Sequence, residues 1–305
     1  MKCFHSTSFQ LPLPPNHRFP MQKYTALYER VLEHFGEDGI SIAPPVSDSV
    51  LALAHDEDYL KGVIAGILPK NELRRIGFPW SPQMVERSRR STGATLAGAQ
   101  HALIHGRGAN LAGGTHHARR KRGGGYCVFN DTAVTLKSLE RDGLIRRGLV
   151  IDLDVHQGDG TADILRADPA HFTFSMHAEK NYPFDKVESD LDLPLPDHTS
   201  DEHYLDLLST HLPLIFDQGQ PDLVVYLAGA DPFYKDQLGR LKLTKAGLAA
   251  RDALVFEACD RRGVPVVVTM GGGYAPQIEE IVALHFNTIL IASGQSPELY
   301  AEPKA

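Results

Sequence analysis

Two carboxylates and one imidazole alternate along a single apolar segment of the chain. Asp152, Asp154 and His156 occupy positions i, i+2 and i+4 of the run VIDLDVHQGDG, residues 150–160. In a strand these side chains point to the same side, and in an apolar setting they would repel and lose hydration without a cation. Aspartate and histidine ligands favour Zn²⁺, Fe²⁺ or Mn²⁺ over Ca²⁺. The segment therefore predicts a metal site, with a hydrogen-bonded, solvated turn as the alternative.

A further carboxylate follows a second apolar run. Asp231 comes directly after DLVVYLAGA, residues 222–230, where it is either a third metal ligand or a cap of the next turn. Two carboxylates and one histidine leave a coordination position open for water, which is typical of catalytic rather than structural metal sites.

Adjacent histidines lie between two glycine clusters. His116 and His117 follow NLAGGT and precede the basic run Arg119–Arg122. They are candidates for a general acid and base beside the metal, with surface histidines next to a basic turn as the alternative. Asp152 and Asp159 could accept a ring N–H from them, which would fix their tautomers. The basic run itself is most simply a solvated loop, or else it packs against the rim of the metal site.

A glycine-rich segment ends in a tyrosine. Gly271–Gly273 follow the apolar run VPVVVTM and precede Tyr274. No GxGxxG or GK[ST] pattern is present, which argues against a nucleotide-binding loop. Tyr274 could donate a hydrogen bond to an oxyanion, or it could simply pack on a turn.

Short apolar runs alternate with helical patterns throughout the chain, which predicts an open parallel β-sheet covered by helices on both faces. The predicted strands are residues 110–114, 148–155, 171–176, 222–230 and 264–270. The clearest helices begin at Ser81-Pro82, near Asp201 and at Thr244, and they run towards Gly106, Asp217 and Gly263. Since the polar motifs follow strands, they should meet at the carboxyl ends of the sheet.

Composition limits the class of protein. The 305 residues show no repeat or linker that would mark a boundary, so a single domain over residues 1–305 is expected. A net charge of −7 argues against nucleic acid or an anionic membrane as the main partner. Three cysteines without a CxxC pair, together with the lack of an apolar leader, predict a reducing, cytoplasmic location.

Four motifs occur in order: GGTHHARRKRGGGYCVFND, IDLDVHQGDGT, GADPFYKDQLGRL and MGGGY. This set resembles the histone deacetylase family of zinc amidohydrolases, whose fold is arginase-like, and especially its bacterial and class IV members. The resemblance spans about residues 1–295. The DAHxD-like motif of arginase itself is absent.

The resemblance implies roles for individual residues. Asp154, His156 and Asp231 match the metal ligands, with Zn²⁺ as the expected metal and Fe²⁺ as an alternative. His117 matches the general base and acid, and His116 the histidine that tunes the local charge. Tyr274 matches the donor to the substrate carbonyl. Asp152 and Asp159 match the carboxylates behind the two histidines.

The resemblance also implies a potassium site and a substrate channel. The potassium site comprises Asp152, Asp154, His156, Ser175 and Met176, and the channel comprises Tyr126, Tyr182, Leu238, Gly125 and Gly272.

The implied activity is removal of acetyl or longer acyl groups from N-acyl-lysine in proteins or peptides. Alternatives are deacetylation of a small N-acetylated metabolite or polyamine, and a catalytically silent module that binds acyl-lysine. Leu238 stands where a Glu marks polyamine specificity, which disfavours polyamines. The segment GFPWSP lacks the acidic residue with which class I members grip a peptide backbone, which argues against peptide substrates.

Overall fold

Eight parallel strands form one sheet in the structure, a computed structural model that describes residues 1–7, 11–15 and 17–299. The strand order is β2-β1-β3-β8-β7-β4-β5-β6. The strands are β1 (Lys2–His5), β2 (Ile40–Ile42), β3 (Arg107–Asn110), β4 (Gly148–Asp152), β5 (His171–Ala178), β6 (Leu191–Leu195), β7 (Leu223–Leu227) and β8 (Val266–Thr269). The predicted parallel sheet is confirmed.

Helices connect the strands and cover the sheet. They are α1 (Gln22–Phe35), α2 (Asp48–Leu51), α3 (Glu57–Ala65), α4 (Lys70–Ile76), α5 (Pro82–His105), α6 (Asp131–Arg141), α7 (Asp159–Leu165), α8 (Asp201–Gly219), α9 (Lys245–Arg262) and α10 (Ile278–Ala292). None of the helices in the described ranges is both long enough and apolar enough to cross a membrane.

The central strands divide their side chains between two cores. Leu149 and Ile151 of β4 pack in one core with Val255 of α9, whereas Val150 packs in the other core with Met84 of α5. Both faces of the strand are therefore buried, as a continuously apolar strand predicts. This confirms that helices cover both faces of the sheet.

The helix ends follow the capping residues in the sequence. Ser81 caps α5 by accepting a hydrogen bond from Met84 N at 3.1 Å. Thr244 caps α9 in the same way through Gly247 N at 3.0 Å, and that helix ends at Gly263 with φ 65°. The predicted starts of α5 and α9 are thus confirmed, because a side-chain oxygen satisfies backbone N–H groups that lack a helical partner.

The strand boundaries differ from the predicted ones. Predicted strand 110–114 lies mostly beyond β3, which ends at Asn110, and predicted strand 148–155 ends at Asp152. Three strands were not predicted: β1, β2 and β6 are short, and β2 and β6 form the two edges of the sheet. Such half-exposed segments lack the long apolar runs that identify central strands.

Candidate active site

The chain stays extended beyond the end of β4, because Leu153 and Val155 keep backbone hydrogen bonds to the neighbouring strands β7 and β5. Asp152 Oδ1 accepts a hydrogen bond from Asp154 N at 3.1 Å, and Asp154 Oδ1 accepts one from His156 N at 3.0 Å. The prediction that strand alternation places these three side chains on one side is confirmed, because Leu153 and Val155 between them pack in the same core as the odd-numbered residues of β4. The side-chain-to-backbone bonds fix the conformation of the segment, and all three polar side chains are buried together.

Three residues from two strand ends converge. Asp154, His156 and Asp231 each offer one ligand atom, and these atoms lie within 4.8 Å of one another. His156 Nδ1 lies 3.0 Å from Asp154 Oδ1 and 3.2 Å from Asp231 Oδ2. The structure thus brings together the three predicted ligands at the carboxyl ends of β4 and β7.

The surroundings of Asp231 fit a divalent cation. Asp231 is fully buried, and its Oδ2 atom accepts no well-formed hydrogen bond among the described residues. Burial and the charge of Asp154 raise the pKa of Asp231 to about 7. Two buried carboxylates this close repel unless a positive charge lies between them, and a set of two Asp and one His is a recognised set for Zn²⁺ or Fe²⁺.

A second group of potential ligands lacks these properties. Glu140, Asp168 and His171 also lie close together at the start of β5. There the Lys137 ammonium already pairs with both carboxylates, at 3.4 Å from Glu140 and in contact with Asp168. A lysine therefore already pairs with these carboxylates, whereas no lysine or arginine of the described residues forms an ion pair with Asp154 or Asp231.

Two glycines make room for the ligand carboxylates. A Cβ atom added to Gly272 would lie 1.9 Å from Asp231 Oδ2, and one added to Gly229 would lie 2.5 Å from Asp154 Oδ2. Gly272 is also fixed in place, since its N–H donates to Asp154 Oδ2 at 2.7 Å. Gly272, predicted as part of the channel wall, therefore contacts the ligand carboxylates directly.

Substitution of Gly272→Ala should weaken metal binding by about 10- to 100-fold, as changes beside metal ligands do, because the new methyl group displaces Asp231. Competition for Zn²⁺ between the protein and a chelator measures the affinity, and thermal unfolding shows whether the variant is folded. Gly219→Ala is the matched control, since its added Cβ meets nothing closer than 3.2 Å. An unchanged Zn²⁺ affinity in Gly272→Ala would contradict the assignment of Asp231 as a ligand.

Each histidine of the predicted pair is bonded to its own carboxylate. His116 Nδ1 donates to Asp152 Oδ2 at 2.7 Å, and His117 Nδ1 donates to Asp159 Oδ1 at 2.6 Å. The two rings lie 4.1 Å apart between centroids. Nε2 of each ring makes no bond to the carboxylate that orients the ring. The two contacts are the histidine–aspartate pairs predicted from the sequence.

The two histidines have opposite pKa shifts. Burial, together with the neighbouring His116 charge, lowers the pKa of His117 to about 4. Burial would also lower the pKa of His116, but the charges of Asp152 and Asp154 outweigh it and raise the pKa to about 9. At neutral pH His117 is therefore neutral and able to accept a proton, while His116 is cationic.

Part of the basic run belongs to the site. Arg119 Nε donates to Asp159 Oδ2 at 2.6 Å, so the carboxylate behind His117 is held by an arginine as well. Burial alone would raise the pKa of Asp159, but the hydrogen bonds from His117 and Arg119 outweigh it and lower the pKa. The solvated-loop interpretation is therefore wrong for Arg119, which supports the predicted alternative of packing against the site.

Tyr274 is held by an aspartate that the sequence did not reveal. Asp236 Oδ2 accepts a hydrogen bond from Tyr274 N at 2.6 Å, and its Oδ1 accepts from Leu238 N and Gly239 N. Burial and the charges of Asp231 and Asp154 hold the pKa of Tyr274 well above its usual range. Its hydroxyl therefore remains a hydrogen-bond donor at any physiological pH.

A buried lysine supports the same glycine-rich segment. Lys23 of α1 is almost fully buried, and its Nζ lies 3.4 Å from Gly271 O and 3.3 Å from Gly273 O. The ammonium also lies 5.3 Å from the centre of the Tyr274 ring. Lys23 differs from the other charged residues of α1 only in being buried, and its burial is not visible in the sequence. The contact therefore could not be predicted from the sequence.

Four of the five predicted channel residues line a cavity of about 880 Å³, and Gly272 is not among them. Tyr126, Tyr182, Gly125 and Leu238 line it, as do His117 and Tyr274. The Tyr182 ring packs edge-on against the His117 ring at 4.8 Å. Gly125 is required here, because an added Cβ would lie 2.4 Å from His117 Cδ2. The cavity thus leads from the surface to the catalytic candidates.

The residues predicted for potassium lie on neighbouring strand ends. Asp152 pairs in register with Ser175 of β5, and Met176 follows it, fully buried. Asp154 and His156 follow on the turn after β4. Whether K⁺ binds there stays a prediction.

The carboxyl edge of the parallel sheet carries two aspartates and one histidine that could hold a metal, and beside them two histidines that are bonded to carboxylates. This arrangement is typical of metal-dependent hydrolases. Consistent with this, the domain family described as Histone deacetylase domain matches residues 17–289. The chain belongs to the histone deacetylase family, and this membership supports a deacetylase activity.

Three relatives illustrate the similarity. An uncharacterized protein of Picosynechococcus sp. is 45% identical over 280 residues, which is 90% of this chain and 92% of that protein. Histone deacetylase 2 of Arabidopsis thaliana is 30% identical over 264 residues, covering 83% of this chain and 68% of that protein. The crystal structure of a histone deacetylase homologue from Aquifex aeolicus superimposes with a TM-score of 0.83 at 25% identity, over 97% of this chain and 84% of the other.

Proposed function

We propose that the chain is a metal-dependent amidohydrolase that removes acyl groups from N-acyl-lysine in proteins or peptides. The observation that carries the proposal is the convergence of Asp154, His156 and Asp231 beside a neutral histidine, His117, with both histidines lining the 880 Å³ cavity. Zn²⁺ is the metal that the donor set suits best, with Fe²⁺ as the alternative.

The residues of this chain supply the proton transfers. When bound, the divalent cation acidifies water and polarises the substrate carbonyl. His117 accepts the proton from water, because its Nδ1 is committed to Asp159 and only Nε2 is free to do so. His117 then donates the proton to the leaving nitrogen, which an amide requires because an amide anion is too basic to leave.

The neighbouring residues stabilise the charges that develop. The Tyr274 hydroxyl, kept protonated, donates a hydrogen bond to the oxyanion of the tetrahedral intermediate. His116 remains cationic and bonded to Asp152, so its charge keeps His117 neutral before the reaction. Asp159, held by Arg119, orients the His117 ring throughout.

We also propose a structural K⁺ close to the site. The register that places Asp152 opposite Ser175 supports it, since oxygen atoms of both strand ends then lie near each other. The ligands would come from Asp152, Asp154, His156, Ser175 and Met176.

The alternative of a silent acyl-lysine-binding module is less well supported. A binding module needs a pocket but no proton acceptor, whereas His117 and Asp159 form a buried, hydrogen-bonded pair. Burying the Asp159 carboxylate with His117 costs desolvation energy. A catalytic site needs this pair for proton transfer, whereas a binding site does not.

A panel of N-acyl-lysine peptides tests the proposal. The acyl groups run from acetyl to myristoyl, and release of free amine is measured with Zn²⁺-loaded protein. We expect turnover of at least one peptide and its loss in His117→Ala and in Tyr274→Phe. Metal-loaded protein that hydrolyses no peptide would overturn the lysine-deacylase function, and turnover that survives both substitutions would overturn the mechanism.

A further inference from the structure

The mouth of the catalytic cavity is strongly basic. Its lining includes five lysine and arginine side chains, and none of the described residues that line it is an aspartate or glutamate. The five cations are Arg74, Arg75, Lys180, Arg240 and Lys242. This contrasts with the chain as a whole, whose net charge is −7.

The cations come from three separate parts of the fold. Arg74 and Arg75 lie at the end of α4, Lys180 follows β5, and the segment 240–242 lies between β7 and α9. All five of these side chains belong to exposed residues. They therefore border the cavity from several sides and face solvent, where an approaching substrate meets them first.

Two acidic groups near the mouth are paired with arginines of the cavity lining. Glu72 pairs with Arg75 at 2.6 Å, and Asp197 pairs with Arg240 at 2.6 Å. These carboxylates reduce the charge of two of the five cations and leave the other three.

The remaining three cations lie outside any ion pair. Arg74, Lys180 and Lys242 form no ion pair with a carboxylate in the described parts of the chain, although Lys242 Nζ donates to Tyr234 O at 3.0 Å. Lys180 acts on Asp197 only from beyond ion-pair distance, where it adds to the effect of the paired arginine and helps to lower the pKa of that carboxyl. Three unpaired positive charges thus border the entrance.

The loops that carry the cations are fixed relative to each other. The Asn181 side chain donates to Leu238 O at 2.6 Å and accepts from Arg240 N at 3.1 Å. Asn181 is itself buried, so it ties the segment after β5 to the segment around Leu238. The basic rim is therefore a built feature of the cavity rather than a set of free loop tips.

We propose that this rim, defined by the five cations, selects N-acyl-lysine that lies within an acidic stretch of protein. A ring of one charge sign concentrates partners of the opposite sign and disfavours those of the same sign. The inference rests on the proposed deacylase function and specifies its substrate class. It also disfavours polyamines and basic tails, whose amines would meet like charges at the mouth.

Three peptides with the same central acyl-lysine test the proposal, with flanks of Asp and Glu, of Ser and Gly, or of Lys and Arg. At low ionic strength we expect kcat/KM for the acidic peptide to exceed that for the basic peptide by at least about tenfold, because several unit charges act together at surface distances. The difference should shrink markedly near 1 M salt, where the screening length falls to about 3 Å.

Charge-reversal variants locate the effect. The double variant Lys180→Glu/Lys242→Glu should reverse the order of the acidic and basic peptides. Arg166→Glu, an exposed position just after α7 and outside the cavity lining, is the matched control and should keep the original order. The neutral peptide reports whether each variant is still folded, and the salt titration of the unaltered protein tests the proposal even where a variant is not.

The outcomes separate this proposal from the function on which it rests. Equal turnover of the three peptides, or preference for the basic peptide or for N-acetylspermidine, would overturn the selection of acidic substrates while deacylation stands. Faster turnover of N-acetylaspartate than of any peptide would overturn the assignment to protein substrates. If no peptide is hydrolysed by metal-loaded protein, the deacylase function itself fails.

Discussion

Replacing His117 with alanine is expected to lower kcat by about 10²- to 10⁴-fold, the usual contribution of a general acid–base group. The reason is that His117 is neutral at physiological pH and is oriented by Asp159 at 2.6 Å, so it is the group poised to accept the proton of water. The measurement is kcat for the best N-acyl-lysine peptide at saturating substrate. KM should change far less than kcat.

Added imidazole distinguishes a chemical role from a structural one. If His117 transfers protons, free imidazole should restore part of the lost activity in His117→Ala, because it can occupy the vacated space. His203→Ala, an exposed histidine on α8, serves as the control and should behave like the unaltered protein. A His117→Ala protein that keeps most of its kcat would exclude His117 as the base.

Removal of the Tyr274 hydroxyl in Tyr274→Phe should lower kcat by about 10²- to 10³-fold, as loss of one oxyanion donor does. The ring keeps its packing against Tyr126 and the backbone keeps its bond to Asp236, so the fold should be unaffected. The expected signature is a fall in kcat with nearly unchanged KM, measured on the same peptide. Substrate binding that weakens while kcat stays constant would show that Tyr274 contacts the ground state instead.

Tyr28→Phe provides the matched control for that measurement. Tyr28 of α1 stacks on His5 at 4.3 Å between ring centroids and does not line the catalytic cavity. Tyr28→Phe should leave kcat within about twofold of the value for the unaltered protein, because substitutions away from a functional site usually have small effects.

The sequence predicted the part of the site that local patterns encode. Asp154, His156 and Asp231 each follow a central apolar strand, and parallel strands bring such residues to one edge of the sheet. The predicted common face of Asp152, Asp154 and His156 is confirmed, because the two residues between them pack in the apolar core. The assigned strand β4 nevertheless ends at Asp152, before the predicted strand end. Strand length could not be read from apolar character alone.

The supporting residues could not be predicted in the same way. Lys23 and Asp236 act through contacts with residues distant in the chain, such as that of Lys23 with Gly271 and Gly273. No local period or spacing encodes such contacts. The edge strands β2 and β6 escaped prediction for a related reason, since their identity depends on the strand beside them.

Titration of metal-free protein with Zn²⁺ tests the central claim most directly. The protein is stripped of metal, and hydrolysis of its best acyl-lysine peptide is followed as Zn²⁺ is added. The account predicts no hydrolysis at the start and a linear rise that ends at one Zn²⁺ per chain, with no rise in Asp231→Asn. Hydrolysis by the stripped protein, or none after one Zn²⁺ per chain has bound, would contradict it.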